Sequence, residues 1–77
     1  MEEQKEKVSD MPRITLLGSK SLFVENFCAV VVYTDCEIQL NTALFLLKVA
    51  GKNLEIKTLT PGLLEIVGEI SDLSIQK

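Results

Sequence analysis

Phe45-Leu46-Leu47-Lys48-Val49-Ala50-Gly51-Lys52-Asn53-Leu54-Glu55-Ile56-Lys57-Thr58-Leu59-Thr60-Pro61-Gly62 carries the pattern from which the fold is read. Apolar residues alternate with polar ones on either side of Gly51-Lys52, the period of a half-buried strand. Gly at the first of two loop positions suits a type II′ turn, whose twist matches the strands it joins. Such a hairpin puts Val49 opposite Leu54 and Leu47 opposite Ile56 on one face. It sets Lys48 against Glu55 on the other, an opposite-charge cross-strand pair. Pro61-Gly62 then predicts a second reversal, with Thr58 facing Leu64, Lys57 facing Glu65, and Ile56 and Ile66 on one face. The result is a three-strand antiparallel meander, with Gly68 marking a bulge or bend in its long last strand.

Toward the N-terminus the same signals continue. Short runs rich in branched residues, separated by Gly, Asn, Asp, Ser or Pro, predict strands over 14–17, 22–25, 28–33, 37–41, 45–50, 54–59 and 64–75. Seven short strands predict an all-β domain over 13–77, a small antiparallel β-sandwich preferred over a partly open barrel. Residues 1–12 are polar and alternate in charge; Pro12 disfavours helix at Met11, so this stretch reads as a polar tail or short helix. The glycines at 18, 51, 62 and 68 share no period, which excludes a solenoid.

Seventy-seven residues allow one domain, and 47% hydrophobic residues argue for a packed core of branched aliphatics over disorder. The net charge of −3 and the lack of a basic cluster argue against a nucleic-acid partner. A charged N-terminus is unlike a signal peptide, and the longest apolar runs fall far short of the ~20 residues of a membrane helix. A soluble protein is expected, with any membrane contact made through a partner. Cys28 and Cys36 do not meet across a turn at Thr34-Asp35 and are expected as small buried or half-buried hydrophobes in a reducing cytoplasm.

Histidine is absent, which removes the usual general base, the usual metal ligand and the Ser-His and Cys-His pairings. No phosphate-binding glycine motif and no ligand-like spacing of Cys and carboxylates occurs. Glu65 and Glu69 share a strand face, but a solvated face opposing Lys57 explains them better than acid–base work. No enzyme, cofactor or metal is expected. What remains is surface for association. Val30-Val31-Val32 and Leu44 to Leu47 place apolar side chains on both sides of their strands. Either both faces are buried or one forms an interface through Val30, Val32, Leu44 and Leu46. The 45–50 strand or the first strand, 14–17, is the expected sheet edge, open to added strands.

Several segments carry a family likeness: Pro12-Arg13-Ile14-Thr15-Leu16 with Gly18, Val24-Glu25-Asn26, Tyr33-Thr34-Asp35 with Ile38, Asn41-Thr42, 48–57, and Ile66-Val67-Gly68-Glu69-Ile70. In order and spacing, over about 11–70, they resemble the YabP/YqfC family of bacterial sporulation proteins. That resemblance implies a small, sandwich-like all-β fold, no catalytic residues, and a structural or assembly role in endospore formation. It implies a place in the mother-cell cytoplasm, peripheral to the forespore membrane through an integral-membrane sporulation partner; a homo-oligomer is a further expectation. Ala29 and Leu44-Phe45 stand where relatives have Gly, implying altered turns or a longer continuous strand. The competing reading is a ligand- or lipid-headgroup-binding β module unrelated to sporulation, which would need a lined pocket with convergent polar groups.

Overall fold

The computed structural model describes residues 11–77. Most of the polar segment expected over 1–12 therefore lies outside the described residues. The strands are β1 (Arg13–Leu17), β2 (Ser21–Glu25), β3 (Phe27–Tyr33), β4 (Glu37–Thr42), β5 (Leu46–Thr60) and β6 (Leu63–Gln76). All pairings are antiparallel, in the order β1-β2-β6-β5-β4-β3, and β1 does not pair with β3, so the sheet stays open. The all-β class is as expected. The sandwich of seven short strands is not: the described residues form one sheet of six strands, because 45–50 and 54–59 belong to a single strand.

Gly51-Lys52 does not turn. Residues of β5 on both sides of it find their partners on β6: Leu47 faces Ile75 and Val49 faces Leu73, while Ile56 faces Ile66 and Leu59 faces Leu64. The missing side chain at Gly51 serves close approach. A Cβ there would lie 1.9 Å from the carbonyl oxygen of Glu69. The Lys48–Glu55 and Lys57–Glu65 pairs fall with that turn and with a register shift between Ile56 and Thr58, which leaves Thr58 opposite Glu65. The reversal at Pro61-Gly62 does form, with Thr60 paired to Leu63 and Gly62 at φ 84°. Gly68, at φ 134°, sits where the ladder skips, the bend expected of it.

Because β5 and β6 are long and broken in register near their midpoints, the sheet has two four-strand leaves. In the first, β1 and β2 join the first half of β6 and the second half of β5. In the second, β3 and β4 join the first half of β5 and the second half of β6. The buried residues Leu22, Val24, Ile38, Leu40, Leu47, Val49, Leu54, Leu64, Ile66 and Ile70 form one cluster drawn from both leaves. So one continuous sheet supplies the single core that two separate sheets were expected to build.

The leaves repeat each other. Leu46-Leu47-Lys48-Val49-Ala50-Gly51-Lys52 on β5 corresponds to Leu63-Leu64-Glu65-Ile66-Val67-Gly68-Glu69 on β6. The registers correspond too: Ile38 faces Val49 and Leu40 faces Leu47, as Leu22 faces Ile66 and Val24 faces Leu64. At each crossing the glycine N–H donates into the neighbouring hairpin loop, Gly51 to Cys36 O at 3.0 Å and Gly68 to Lys20 O at 3.1 Å. The next buried residue follows suit, Leu54 to Asp35 O and Ile70 to Ser19 O, both at 2.8 Å. A pseudo-twofold relation between two hairpin-plus-strand units follows from these matched bonds.

The departures at Ala29 and Leu44-Phe45 are absorbed as the alternatives implied. Ala29 lies inside a continuous β3. The turn after β4 is held by the Thr42 hydroxyl, which accepts from the N–H groups of Leu44 and Phe45 at 3.2 and 3.0 Å. A side-chain oxygen mimicking a backbone acceptor closes such a turn without glycine.

Candidate interaction surface

The buried side chains are all apolar; among the described residues none is polar or charged. Nor do the described residues contain a group of three or more His, Cys, Asp or Glu arranged to hold a metal ion. Glu65 accepts from Ser21 Oγ at 3.4 Å and Thr58 Oγ1 at 3.3 Å, and Glu69 pairs with Lys20 at 3.7 Å, well exposed. These two carboxylates are thus engaged separately. Cys28 and Cys36 are free thiols, as expected, but both are exposed, not buried. Cys28 falls at a bulge on the outer strand β3, and Cys36 lies in the loop after it, so neither reaches the core.

Surface chemistry therefore rests on the open edges. As expected, β1 is an edge; β3 is the other. The 45–50 segment, the alternative candidate for an edge, lies inside, between β4 and β6, because β6 is long enough to return along it as far as Gln76. Within each leaf the second half of β5 or β6 supplies a further border.

Cross-strand register gives four inner rows. In the first leaf these are Leu16-Leu22-Ile66-Ile56 and Ile14-Val24-Leu64-Leu59. In the second they are Tyr33-Ile38-Val49-Leu73 and Val30-Leu40-Leu47-Ile75. The two central columns are buried. One end of every row is open: Leu16 is 45% exposed, Leu59 57%, Tyr33 52% and Ile75 55%. By register these side chains stand on the core-facing side of the sheet, yet they remain open at its rim. The open corners obey the pseudo-twofold, Leu16 matching Tyr33 and Leu59 matching Ile75.

The sequence-predicted interface residues do not form one patch. Val30 faces Leu40 and packs half-buried against the core. Val32 lies opposite Gln39, and Leu46 lies between Asn41 and Gln76 on the same outer face, both half-buried. Leu44, exposed in the turn after β4, sits near the start of β3, where Phe27 faces Thr42. Sequence reasoning passed over Val31. It drops out of the ladder at a register shift between Val30 and Val32 and is 51% exposed. A uniformly apolar run has no period from which to choose the outward residue. Its usable signal was different: 27–33 holds no charged residue.

No helix among the described residues is long and apolar enough to cross a membrane. The YabP family model matches residues 9–77. No curated protein and no solved structure matches the chain.

Proposed function

The chain belongs to the YabP family, which makes it a sporulation-related protein, and from that premise we propose that it is a non-enzymatic interaction module of endospore formation. In this reading it works in the mother-cell cytoplasm and is held at the forespore membrane by an integral-membrane sporulation partner. The observation that supports this is the open sheet: edges β1 and β3 display Leu16, Leu17, Val31 and Tyr33 to solvent. Unpaired strand edges with apolar side chains suit docking by strand addition.

Deletion of the gene in its host tests the reading. Vegetative growth should be unchanged while the count of heat-resistant spores collapses. In sporulating cells the tagged chain should sediment with membranes and be released by high salt or alkaline carbonate, as a protein held by a partner is. Undiminished spore counts would overturn the role, and a chain that never sediments with membranes would overturn the membrane partner.

A further inference from the structure

Of the sheet borders, β3 stands apart in its chemistry. β1 carries Arg13, the second half of β5 carries Glu55 and Lys57, and the second half of β6 carries Asp72; β3, Phe27-Cys28-Ala29-Val30-Val31-Val32-Tyr33, carries no charge. Edge strands are ordinarily guarded by charge, proline or bulges against pairing with another chain. Here charge and proline are missing, and bulges at Cys28 and Val31 remain. Cys28, Ala29, Val31 and Tyr33 are exposed along it, with Leu44 exposed at one end.

We propose that β3 pairs antiparallel with β3 of a second copy, joining two six-stranded sheets across a twofold axis. The occupant is set by charge. An uncharged apolar edge disfavours a charged strand, whose ions would lose water without gaining partners, and β3 itself is the uncharged edge strand this chain supplies. The bulges interrupt regular backbone pairing. Side chains at Ala29, Val31 and Tyr33 must then provide much of the hold, which favours an apolar strand over a polar peptide held by its backbone. Pairing like with like also closes at two copies, because a twofold contact uses the same edge on both subunits and leaves none to extend a filament. The β1 edge stays free for a different partner. The inference concerns the purified chain and stands or falls apart from the role in sporulation.

Sedimentation equilibrium of the full chain over a wide concentration range tests it. Wild type should show twice the chain mass, and amide exchange in β3 should slow as the dimer forms while exchange in β1 does not. Val31→Lys should raise the dimer dissociation constant by roughly tenfold or more, from stranding an ammonium against an apolar strand. Ala29→Lys, at a second exposed position, should do the same, and far-UV circular dichroism reports whether each variant keeps its sheet. Leu17→Lys on β1 should leave the dimer intact. A wild type that stays monomeric throughout overturns the proposal, including one that binds only an added uncharged peptide. A dimer broken by Leu17→Lys and untouched by both β3 variants overturns it as well.

Discussion

Ser21 stands in the first leaf where Glu37 stands in the second, Glu65 where Lys48 stands, and Leu16 where Tyr33 stands. By contrast Leu64 matches Leu47, Ile66 matches Val49, and Gly68 matches Gly51. Of these positions, those that agree are buried or lie at the crossings, and those that differ are partly or fully exposed. The core thus accepts one solution twice, because close packing and backbone approach constrain it. The surfaces are free to diverge, and they have: the first leaf ends in a strand bearing Arg13, the second in an uncharged one.

If the crossings are equivalent, both glycines should be indispensable, and substituting them is the severest test of the comparison. A methyl at 51 would sit 1.9 Å from Glu69 O, and one at 68 would sit 2.5 Å from Asn53 O at a φ of 134°. Both obstacles are backbone, which cannot swing aside. Gly51→Ala and Gly68→Ala should each cost about 3 kcal/mol or more, a large share of the roughly 0.05–0.15 kcal/mol per residue that a domain holds. Urea denaturation should show a large fall in midpoint or no cooperative transition for either. A chain sensitive at one glycine alone would mean that the crossings only look alike.

Next in size are the core equivalents. Leu47 and Leu64, at most 1% exposed, should each lose about 2–5 kcal/mol on substitution by Ala, transfer and cavity terms together. The two values should lie close to one another. Leu59→Ala and Ile75→Ala, at the open row ends, should cost about 1 kcal/mol or less. Equal losses at all four positions, measured by chemical denaturation, would show that the corners are covered in solution.

Local chemistry made part of this plan legible. Pro61-Gly62 announces its own turn, and the alternation of Leu54 and Ile56 with Glu55 and Lys57 is strand period wherever the strand runs. Gly51 reads as a turn residue because glycine answers two needs, a positive φ and room for another backbone, and sequence does not separate them. From that one residue followed the invented hairpin, the extra strand, the Lys48–Glu55 pair and the second sheet. The partner actually near Lys48 is Glu37, brought by a hairpin that adjacent residues could not reveal. At the surface, Val30 and Val32 belong to an unbroken valine run, and the bulge that leaves Val31 exposed makes no mark in such a run.

Tyr33 marks where the leaves part company. Its phenol oxygen accepts the N–H of Ile56 at 3.0 Å, tying the edge of the second leaf to the border of the first. Leu16, its counterpart, has no oxygen with which to make the matching bond. Tyr33→Phe should cost about 0.5–1.5 kcal/mol and speed hydrogen exchange at the Ile56 amide, with little change at other amides of β5. Unaltered exchange at Ile56 would remove the tie and make the two leaves more alike.

The smallest difference is the ion pair itself. Lys48 Nζ lies 3.7 Å from Glu37 Oε2, with both side chains partly exposed, and Gln39 Nε2 also donates to that carboxylate oxygen. The matching diagonal in the first leaf is the neutral–ionic contact from Ser21 Oγ to Glu65 Oε2 at 3.4 Å. Solvent screens a pair so exposed, so Glu37→Gln should cost well under about 1 kcal/mol, and the loss should shrink as salt is added. Ser21→Ala, which removes a hydroxyl donor and no formal charge, should cost a similar amount with little dependence on salt. The comparison is therefore sharpest in the salt series: two losses of like size, one fading with ionic strength and one holding, would show the same scaffold position filled by different physics. Were the Glu37→Gln loss constant in salt, the Lys48 contact would contribute nothing, and the bond from Gln39 would account for the effect.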